Sequence, residues 1–594
     1  MKKNIIKTFF QYQITIDGVS TGWKIKKIWI YSFWVIFTLS VIFLLSSYDF
    51  SLNHPDGGQV LFKNFKKIFS FNSISTFENK NDNLWIKSLI YLFTNIQFAA
   101  AGTFGGFVIA LITSFLSSEK FNNKIFCSLI KFILFFLRVI PEVVFILIFQ
   151  TSLEVGDTAL LLAYFWFTWL WLHKYFVEIF KTVDTKYYYL SIKMGNSKFN
   201  SFFREIYPRI NNKIIGLLLY SFESNIRWAS LLSNFGLVGI GILTDYATKN
   251  GGSNIDQLGI PLLILISFIL FLELIDFLFK NYVLKHVPFK KLSKNKITKF
   301  FQINWQKLLK STLLIFLIIY SIYVFSSLSY SVFKNNSFYN FVNNFFKPYF
   351  GVFSNDASSN NQPLIKQAFQ IWKHTIFSLV FLFILVIITL TFLIEKQNKK
   401  TTIIFAKLWL IILRTFPSII VFFVFSPIFN SKVTLILVIL AFHNSGSILK
   451  QLSDSVNKID HSKFKNLKLI GWSKFKIYKH YILPYLKRDL ITLFTIYAEI
   501  MFRSVVLYSS LSTDDFYLGG RLFIYLGERT TNYNKAFAYM WLIMFNIFIL
   551  NIISNIILNF DKLKYNISSI NRFIINKQYK NIRILKFINS IKRS

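Results

Sequence analysis

Four arginines stand inside apolar stretches of this chain: Arg138, Arg227, Arg414 and Arg503. Only twelve arginines occur in all, against many more lysines, so their placement is informative. A guanidinium presents a planar fork of donors that suits phosphate or phosphonate oxygens. Inside a bilayer a cation costs roughly 2.5–3.5 kcal/mol on insertion scales and must face protein or a wet cavity. Acids stand close in sequence. Glu223 and Arg227 lie four residues apart, Glu499 and Arg503 repeat that spacing, and Arg138 and Glu142 make a third pair. Residues at i and i+4 share one face of a helix. Arg414 has Ser418 at the matching place and lacks a local partner. Two chemistries fit these residues. They either border a path and hold an anion transiently, or tie helices together as neutral pairs. Both hold if the pairs open and close.

The same residues expose a repeat at a spacing of 276. Arg138 and Pro141 return as Arg414 and Pro417, Asp184 as Asp460, and Glu223 and Arg227 as Glu499 and Arg503. Gly195, Ser197, Lys198, Phe199 and Pro208 return as Gly471, Ser473, Lys474, Phe475 and Pro484. No gap interrupts the match, and the period lies far outside those of solenoid units. The chain therefore carries two copies of one part.

The elements that hold these residues must be membrane helices. The chain is 54% hydrophobic and 16% charged, with a mean hydropathy of +0.47, where soluble domains expose far more charge. Apolar runs of about 20 residues recur, long enough for a bilayer core. Lipid cannot satisfy backbone groups, and the runs do not alternate, so they are helices. The expected spans are 28–48, 89–117, 127–152, 158–180, 213–243 and 259–284, then 308–333, 375–394, 403–429, 432–450, 488–511 and 535–559. Span 89–117 is the weakest, because Ala99 to Gly106 is a soft patch. Six spans per half return the chain to the same side, which makes the repeat parallel. This gives a cytoplasmic arm at 1–27, a first half at 28–284, a cytoplasmic linker at 285–307, a second half at 308–559 and a basic cytoplasmic tail at 560–594. Lysines and arginines crowd the loops assigned to the cytoplasmic side. That bias, with an A/T-rich codon usage, accounts for the net charge of +40 without a nucleic-acid partner. The lone Cys127 excludes an internal disulfide, and the seven histidines show no ligand spacing, so no metal site is expected. The first 27 residues are polar and basic and show no cleavable signal.

The largest internal loop of each half, 181–212 and 451–487, carries the best-matched segment. Gly195 and Gly471 are expected to end one short helix, and Pro208 and Pro484 to restart the chain toward the next span. A helix–Gly–helix–Pro element can lie flat on a membrane face.

This element resembles the signature loop of ABC-importer permeases. Gly471 and Pro484 are thirteen residues apart, and Ile482-Leu-Pro484 nearly spells the family's ending; the family's opening Glu-Ala pair is replaced by Tyr189-Leu190 and by Lys465-Asn466. Leu137-Arg-Val-Ile-Pro-Glu142 and Phe222-Glu-Ser-Asn-Ile-Arg227, with Gly236, Gly239 and Gly241 beyond, are similar to phosphonate-type permeases. The second half lacks that glycine string. The resemblance implies two tandem six-helix bundles of the type I importer fold, all-α, with about twelve membrane helices, as in the fused permeases of mycoplasma-type wall-less bacteria. It implies ABC ATP-binding subunits docked at Gly195, Ser197, Lys198 and Pro208 and at Gly471, Ser473, Lys474 and Pro484. It also implies an extracytoplasmic substrate-binding lipoprotein and a phosphorus-bearing solute.

The chain has no Gly-x4-Gly-Lys-Ser/Thr loop for ATP phosphates and no nucleophile elbow. ATP would belong to a partner subunit, and no cofactor is expected here. The charged segment Asp514-Asp515 with Arg521, Glu528 and Arg529 is either a contact for the binding protein or a solvated loop. The expectation is a multi-pass permease of the cell membrane, both termini cytoplasmic. The rivals are an ion-gradient transporter, which needs unpaired ionisable groups in the membrane, and a membrane enzyme, which needs an acid/base or metal cluster. An exporting ABC permease is a third possibility and ranks low, because the twin loops resemble importers specifically.

Overall fold

A lipid solvent leaves the helix as the element that satisfies its own backbone, and helices make up most of the described residues. The computed structural model describes residues 11–16, 19–52, 56–79, 82–284, 296–353 and 363–558, leaving out 143, 147–148, 150–152, 154–155, 233–236, 249–253, 329, 331–334, 396, 458, 460, 512–516 and 528–532. The tail at 560–594, much of the linker, Asp460, Asp514, Asp515, Glu528 and Arg529 lie outside the described residues. A two-stranded hairpin, β1 (Gln11–Ile16) with β2 (Val19–Ile25), occupies the arm read above as merely polar.

The first half contains α1 (Lys27–Ser46), α2 (Leu84–Ser117), α3 (Lys124–Val139), α4 (Gly156–Thr182), α5 (Tyr207–Leu232) and α6 (Gly259–Leu278). The second contains α7 (Lys296–Ser327), α8 (Leu364–Leu393), α9 (Lys400–Thr415), α10 (Lys432–Asn457), α11 (Leu483–Tyr508) and α12 (Tyr533–Leu558). Among the described residues seven helices are long and apolar enough to cross a membrane, or eight if one bent pair counts as a span. The protein is a multi-pass, all-α membrane protein.

Small contacts repeat at the same offset. Lys131 reaches Glu119 across the α2–α3 loop, and Lys407 reaches Glu395 at 2.7 Å. The lysine's hydrogen bond and charge hold the Glu119 carboxyl below the usual carboxylate range. Asn122 Nδ2 donates to the Phe115 carbonyl at 2.8 Å, and Asn398 Nδ2 to that of Thr391 at 2.7 Å.

The soft patch in α2 is a packing seam. A Cβ added at Gly102 would meet the Leu161 carbonyl at 2.8 Å, and one at Gly106 the Phe165 carbonyl at 2.5 Å. The missing side chains let α2 lie directly on α4, as small-xxx-small stripes do in membranes. In the second half Ser378 takes the place of Gly102 and donates its hydroxyl to the Leu437 carbonyl at 3.3 Å.

Two spans expected to be continuous are broken. α3 stops at Val139 and α9 at Thr415, and the next residues, Ile140 and Phe416, are extended with ψ 126° and 123°. Each precedes a proline, which bars the α conformation before it. After Pro417 the helix Ser418–Phe425 leaves at 88° to α9. The expected span 213–243 also divides: α5 ends at Leu232, and a separate helix runs Ile240–Thr248.

Replacing Gly106 with leucine should destabilise the α2–α4 contact by about 1–3 kcal/mol through overpacking. Leucine at Gly216, where a Cβ meets nothing within 4 Å, serves as the control. Thermal unfolding of the purified chain in detergent checks this; equal melting temperatures for the two variants would contradict the seam.

Candidate functional site: crossed charge clusters around a central cavity

The helix breaks at Pro141 and Pro417 set the site. A proline cannot donate to the preceding turn, and the chain departs at that point, so the carbonyls of Arg138 and Arg414 need donors from elsewhere. Each finds one in the other half. Arg227 Nη1 donates to the Arg414 carbonyl at 3.0 Å, and Arg503 Nη2 donates to the Arg138 carbonyl.

The carboxylates cross over in the same way. Glu499 of α11 accepts from its own Arg503 at 2.8 Å and from Lys174 of α4 at 2.9 Å, with Arg138 Nε at 3.3 Å. Glu223 of α5 has its own Arg227 at 3.5 Å, Arg414 at 2.6 Å and Lys450 at 3.7 Å. Lys174 and Lys450 are themselves 276 apart. Each half's buried glutamate is thus held by one arginine of its own helix and by an arginine and a lysine of the other half. The i, i+4 contacts of Glu223–Arg227 and Glu499–Arg503 are both present.

The Arg138–Glu142 pairing read from spacing is corrected. The helix ends between them, so the i, i+4 face does not exist; Arg138 turns to Glu499, and Glu142 lies 3.6 Å from Arg503. Arg414 lacks a local acid, as its sequence suggests, but has distant ones: besides Glu223 it contacts Glu273 of α6. Lys450 also meets Glu273 at 3.0 Å and Asp276 at 3.3 Å. Sequence reading missed Lys174, Lys450, Glu273 and Asp276. A search for charges at the repeat offset within apolar helices would have found the two lysines. Nothing in one dimension marks the two acids of α6.

Between the halves lies a cavity of about 190 Å³. Arg138, Lys174, Glu499 and Arg503 line it, with Arg227, and aromatic rings including Trp166, Trp171, Tyr175 and Tyr220 form much of its wall. Polar residues brace it from behind: Asn225 Nδ2 donates to Thr103 at 2.7 Å and to Thr168 at 2.9 Å, joining α5 to α2 and α4.

The glycine loops lie at the far end of the same helices. Helix Lys186–Lys193 ends in a cap in which the Gly195 N–H donates to the Ile192 carbonyl at 2.9 Å and the Asn196 N–H to that of Ser191 at 3.2 Å. Gly471 and Trp472 repeat this on Lys468 and Leu467 at 3.0 and 3.2 Å. Gly195 and Gly471 have φ +90° and +84°, the left-handed region that glycine supplies at such caps. Ser197 and Ser473 then cap the next helices, accepting from Asn200 and Lys476 at 3.2 Å, with Lys198 and Lys474 as first helical residues. Beneath the first loop Tyr188 is fully buried against Phe121, and burial pushes its hydroxyl up to about 12, so it stays neutral.

Pro208 and Pro484 do not restart the chain. The helices Lys198–Ser201 and Lys474–Ile477 pass through one wide turn each, Phe202–Ile206 and Tyr478–Ile482, straight into α5 and α11. Widening the turn relieves the clash of the proline ring with the carbonyl four residues earlier. Each loop is therefore rigidly continuous with the helix that bears a buried glutamate and arginine.

Duplicated membrane helices, crossed ion pairs and a cavity between the halves define a polytopic membrane permease. Two stretches of the chain, 102–286 and 387–560, match one family, and the chain belongs to it: the binding-protein-dependent transport system inner membrane components. It is 28% identical to the ABC transport system permease protein p69 of Mycoplasma genitalium over 86% of this chain and 90% of that protein. It is 30% identical to the p69 permease of Mycoplasma pneumoniae over 68% of this chain and 73% of that one. No solved structure matches the chain. The protein is a permease component of an ABC-type transport system, a non-catalytic subunit.

Glu499→Gln should cost about 3 kcal/mol, because it takes the carboxylate from the buried Arg503 and from the half-buried Arg138 and Lys174. Adding Lys174→Met should restore part of that loss. Melting temperatures of the two variants and the parent check it; additive losses would mean that Lys174 and Glu499 do not interact.

Proposed function

We propose that this chain is the whole permease unit of an ABC importer, supplying in one polypeptide the two halves that related importers assemble from two chains. In this reading it crosses the cell membrane twelve times with both termini cytoplasmic. Five helices of the twelve fall short of the apolar test applied to single spans. Two of them, α4 and α5, carry Lys174, Glu223 and Arg227, the charges that the crossed clusters neutralise. Separate ATP-binding subunits drive it, an extracytoplasmic binding protein feeds it, and the solute is a small anion, a phosphonate or another phosphorus-containing organic compound.

One observation carries the coupling role. Both glycine loops present the same pair of bare apolar side chains: Met194 and Phe199 on one, Ile470 and Phe475 on the other, each at least 60% exposed. These positions are 276 apart. Large apolar side chains exposed at matched places on both basic loops mark a surface that another protein can cover. Their matched geometry suits two copies of one partner, as a pair of ATPase subunits would be. The rigid rods from Lys198 and from Lys474 would carry a push at these knobs to Glu223 and Glu499, roughly 38 Å along a helix at 1.5 Å per residue. The crossed pairs would then exchange partners and change access to the cavity, by rocking of one half against the other. The cavity's cations support an anionic solute. The intramembrane acids Glu223 and Glu499 all have cationic partners, which disfavours an ion-gradient transporter.

Phe199→Asp and Phe475→Asp, combined, should cost about 2 kcal/mol or more per anchor in ATPase-subunit affinity. The ATPase should no longer co-purify, and ATP-dependent uptake of labelled methylphosphonate should stop. Retained uptake in the double variant would sink the docking assignment. Uptake that is abolished in the parent by chelating ATP's magnesium, but not by collapsing ion gradients, is the expected energetic signature.

A further inference from the structure

The two crossed clusters share a plan but not a charge balance. Around Glu223 the described residues place three cations, Arg227, Arg414 and Lys450, against three carboxylates, Glu223, Glu273 and Asp276. Around Glu499 they place three cations, Arg138, Lys174 and Arg503, against two carboxylates, Glu499 and Glu142. The positions on α12 that correspond to Glu273 and Asp276 are Ile549 and Ile552.

The clusters also differ in access. The Arg414 side chain is 1% exposed, packed against Gly446, and neither it nor Lys450 lines the cavity. Arg138 keeps 21% of its side chain exposed and lines the cavity beside Lys174 and Arg503. Leucine, Leu170, stands where Gly446 would recur. Among the cavity-wall donors without a hydrogen-bond acceptor in the described residues are Arg503 Nε, on a residue more than nine-tenths buried, and Trp166 Nε1.

We propose that the duplicated clusters have diverged into a closed lock, at Arg414, Lys450 and Glu223, and a single anion seat, at Arg138, Lys174 and Arg503, where one oxyanion-bearing solute supplies the missing negative charge. This rests on the reading that the cavity belongs to the solute path. The uncompensated cation gives the anion its attraction in a poorly solvated site, where charge-assisted hydrogen bonds are strong. The free N–H groups of Arg503 and Trp166 give it direction. The lock offers no excess charge, and of its three cations only Arg227 reaches the cavity wall. A duplicated architecture thus holds one binding place and not two.

The test uses the full chain in phosphatidylcholine nanodiscs, without ATPase or binding protein, equilibrated with labelled inorganic phosphate and with labelled methylphosphonate. Saturable binding of one anion per chain is expected. Lys174→Met should weaken it by about tenfold or more, as loss of a charge-assisted partner does, while Lys450→Met should leave it within about twofold. Lys174→Arg should retain binding. Ile549→Glu, which adds the absent acid at the half-buried counterpart of Glu273 without removing any cation, should weaken binding as Lys174→Met does while leaving the melting temperature near that of the parent. Absence of saturable binding in the parent, two sites per chain, or equal losses at Lys174 and Lys450 would each overturn the proposal. Such a failure leaves the coupling role of the loops standing, because no ATPase takes part in the measurement. A failure to co-purify the ATPase would likewise leave this measurement intact.

Discussion

A carboxylate buried between two membrane bundles must have cations, and in this protein most of them come from the opposite bundle. Glu499 depends on Arg138 and Lys174, and Glu223 on Arg414 and Lys450. Neither half is electrostatically complete by itself. Pulling the halves apart would strip Arg138, Lys174, Arg414 and Lys450 of these partners, and a cation left facing hydrocarbon costs about 2.5–3.5 kcal/mol. Apolar packing between helices cannot supply that specificity, because lipid is as apolar as leucine. The crossed pairs therefore fix which faces meet and in what register.

The proline breaks are part of the same device. If α3 and α9 continued, the Arg138 and Arg414 carbonyls would be bonded within their own helices. Ending the helices at Arg-x-x-Pro frees those carbonyls, and Arg503 and Arg227 occupy them from across the interface. One guanidinium then links its own helix, its own glutamate and the other half's helix end. On the proposed mechanism this is the point where the rods that begin at Ser197 and Ser473 deliver their motion. The wide turns before Pro208 and Pro484 keep those rods unbroken.

Much of this was legible in one dimension, and the limits are physical. Arginine in an apolar stretch is costly enough to announce itself, so Arg138, Arg227, Arg414 and Arg503 stood out. The repeat exposed the paired loops, and Gly195 and Gly471 lie at the positive φ that their place after a short helix suggests. What spacing could not supply was partnership across the interface. Arg138 and Glu142 look paired only if the helix is assumed to continue past Pro141. Lysine is abundant here, so Lys174 and Lys450 stand out in sequence only by recurring at the repeat offset, and their partners Glu499 and Glu223 emerge only from the structure. Hydropathy likewise cannot distinguish a weak span from a tight seam: Gly102 and Gly106 lower the apolar score of α2 because they pack most closely on α4.

Two identical subunits around an axis must present identical interfaces, since symmetry copies every substitution into both. On the proposed reading, one chain supplies both halves and that constraint is lifted. This sequence shows the consequence at several paired positions: Glu142 against Ser418, Glu273 against Ile549, Asp276 against Ile552, and Leu170 against Gly446. In each of the first three pairs the acid sits in the first half. The first half thus neutralises the second half's Arg414 and Lys450 fully, while its own Arg138 and Lys174 keep a share of uncompensated charge. The glycine string after α5, present in the first half and lost from the second, runs in the same direction. If the cavity belongs to the proposed solute path, one polar wall and one sealed wall follow from where these acids stand, an asymmetry that a symmetric dimer could not acquire.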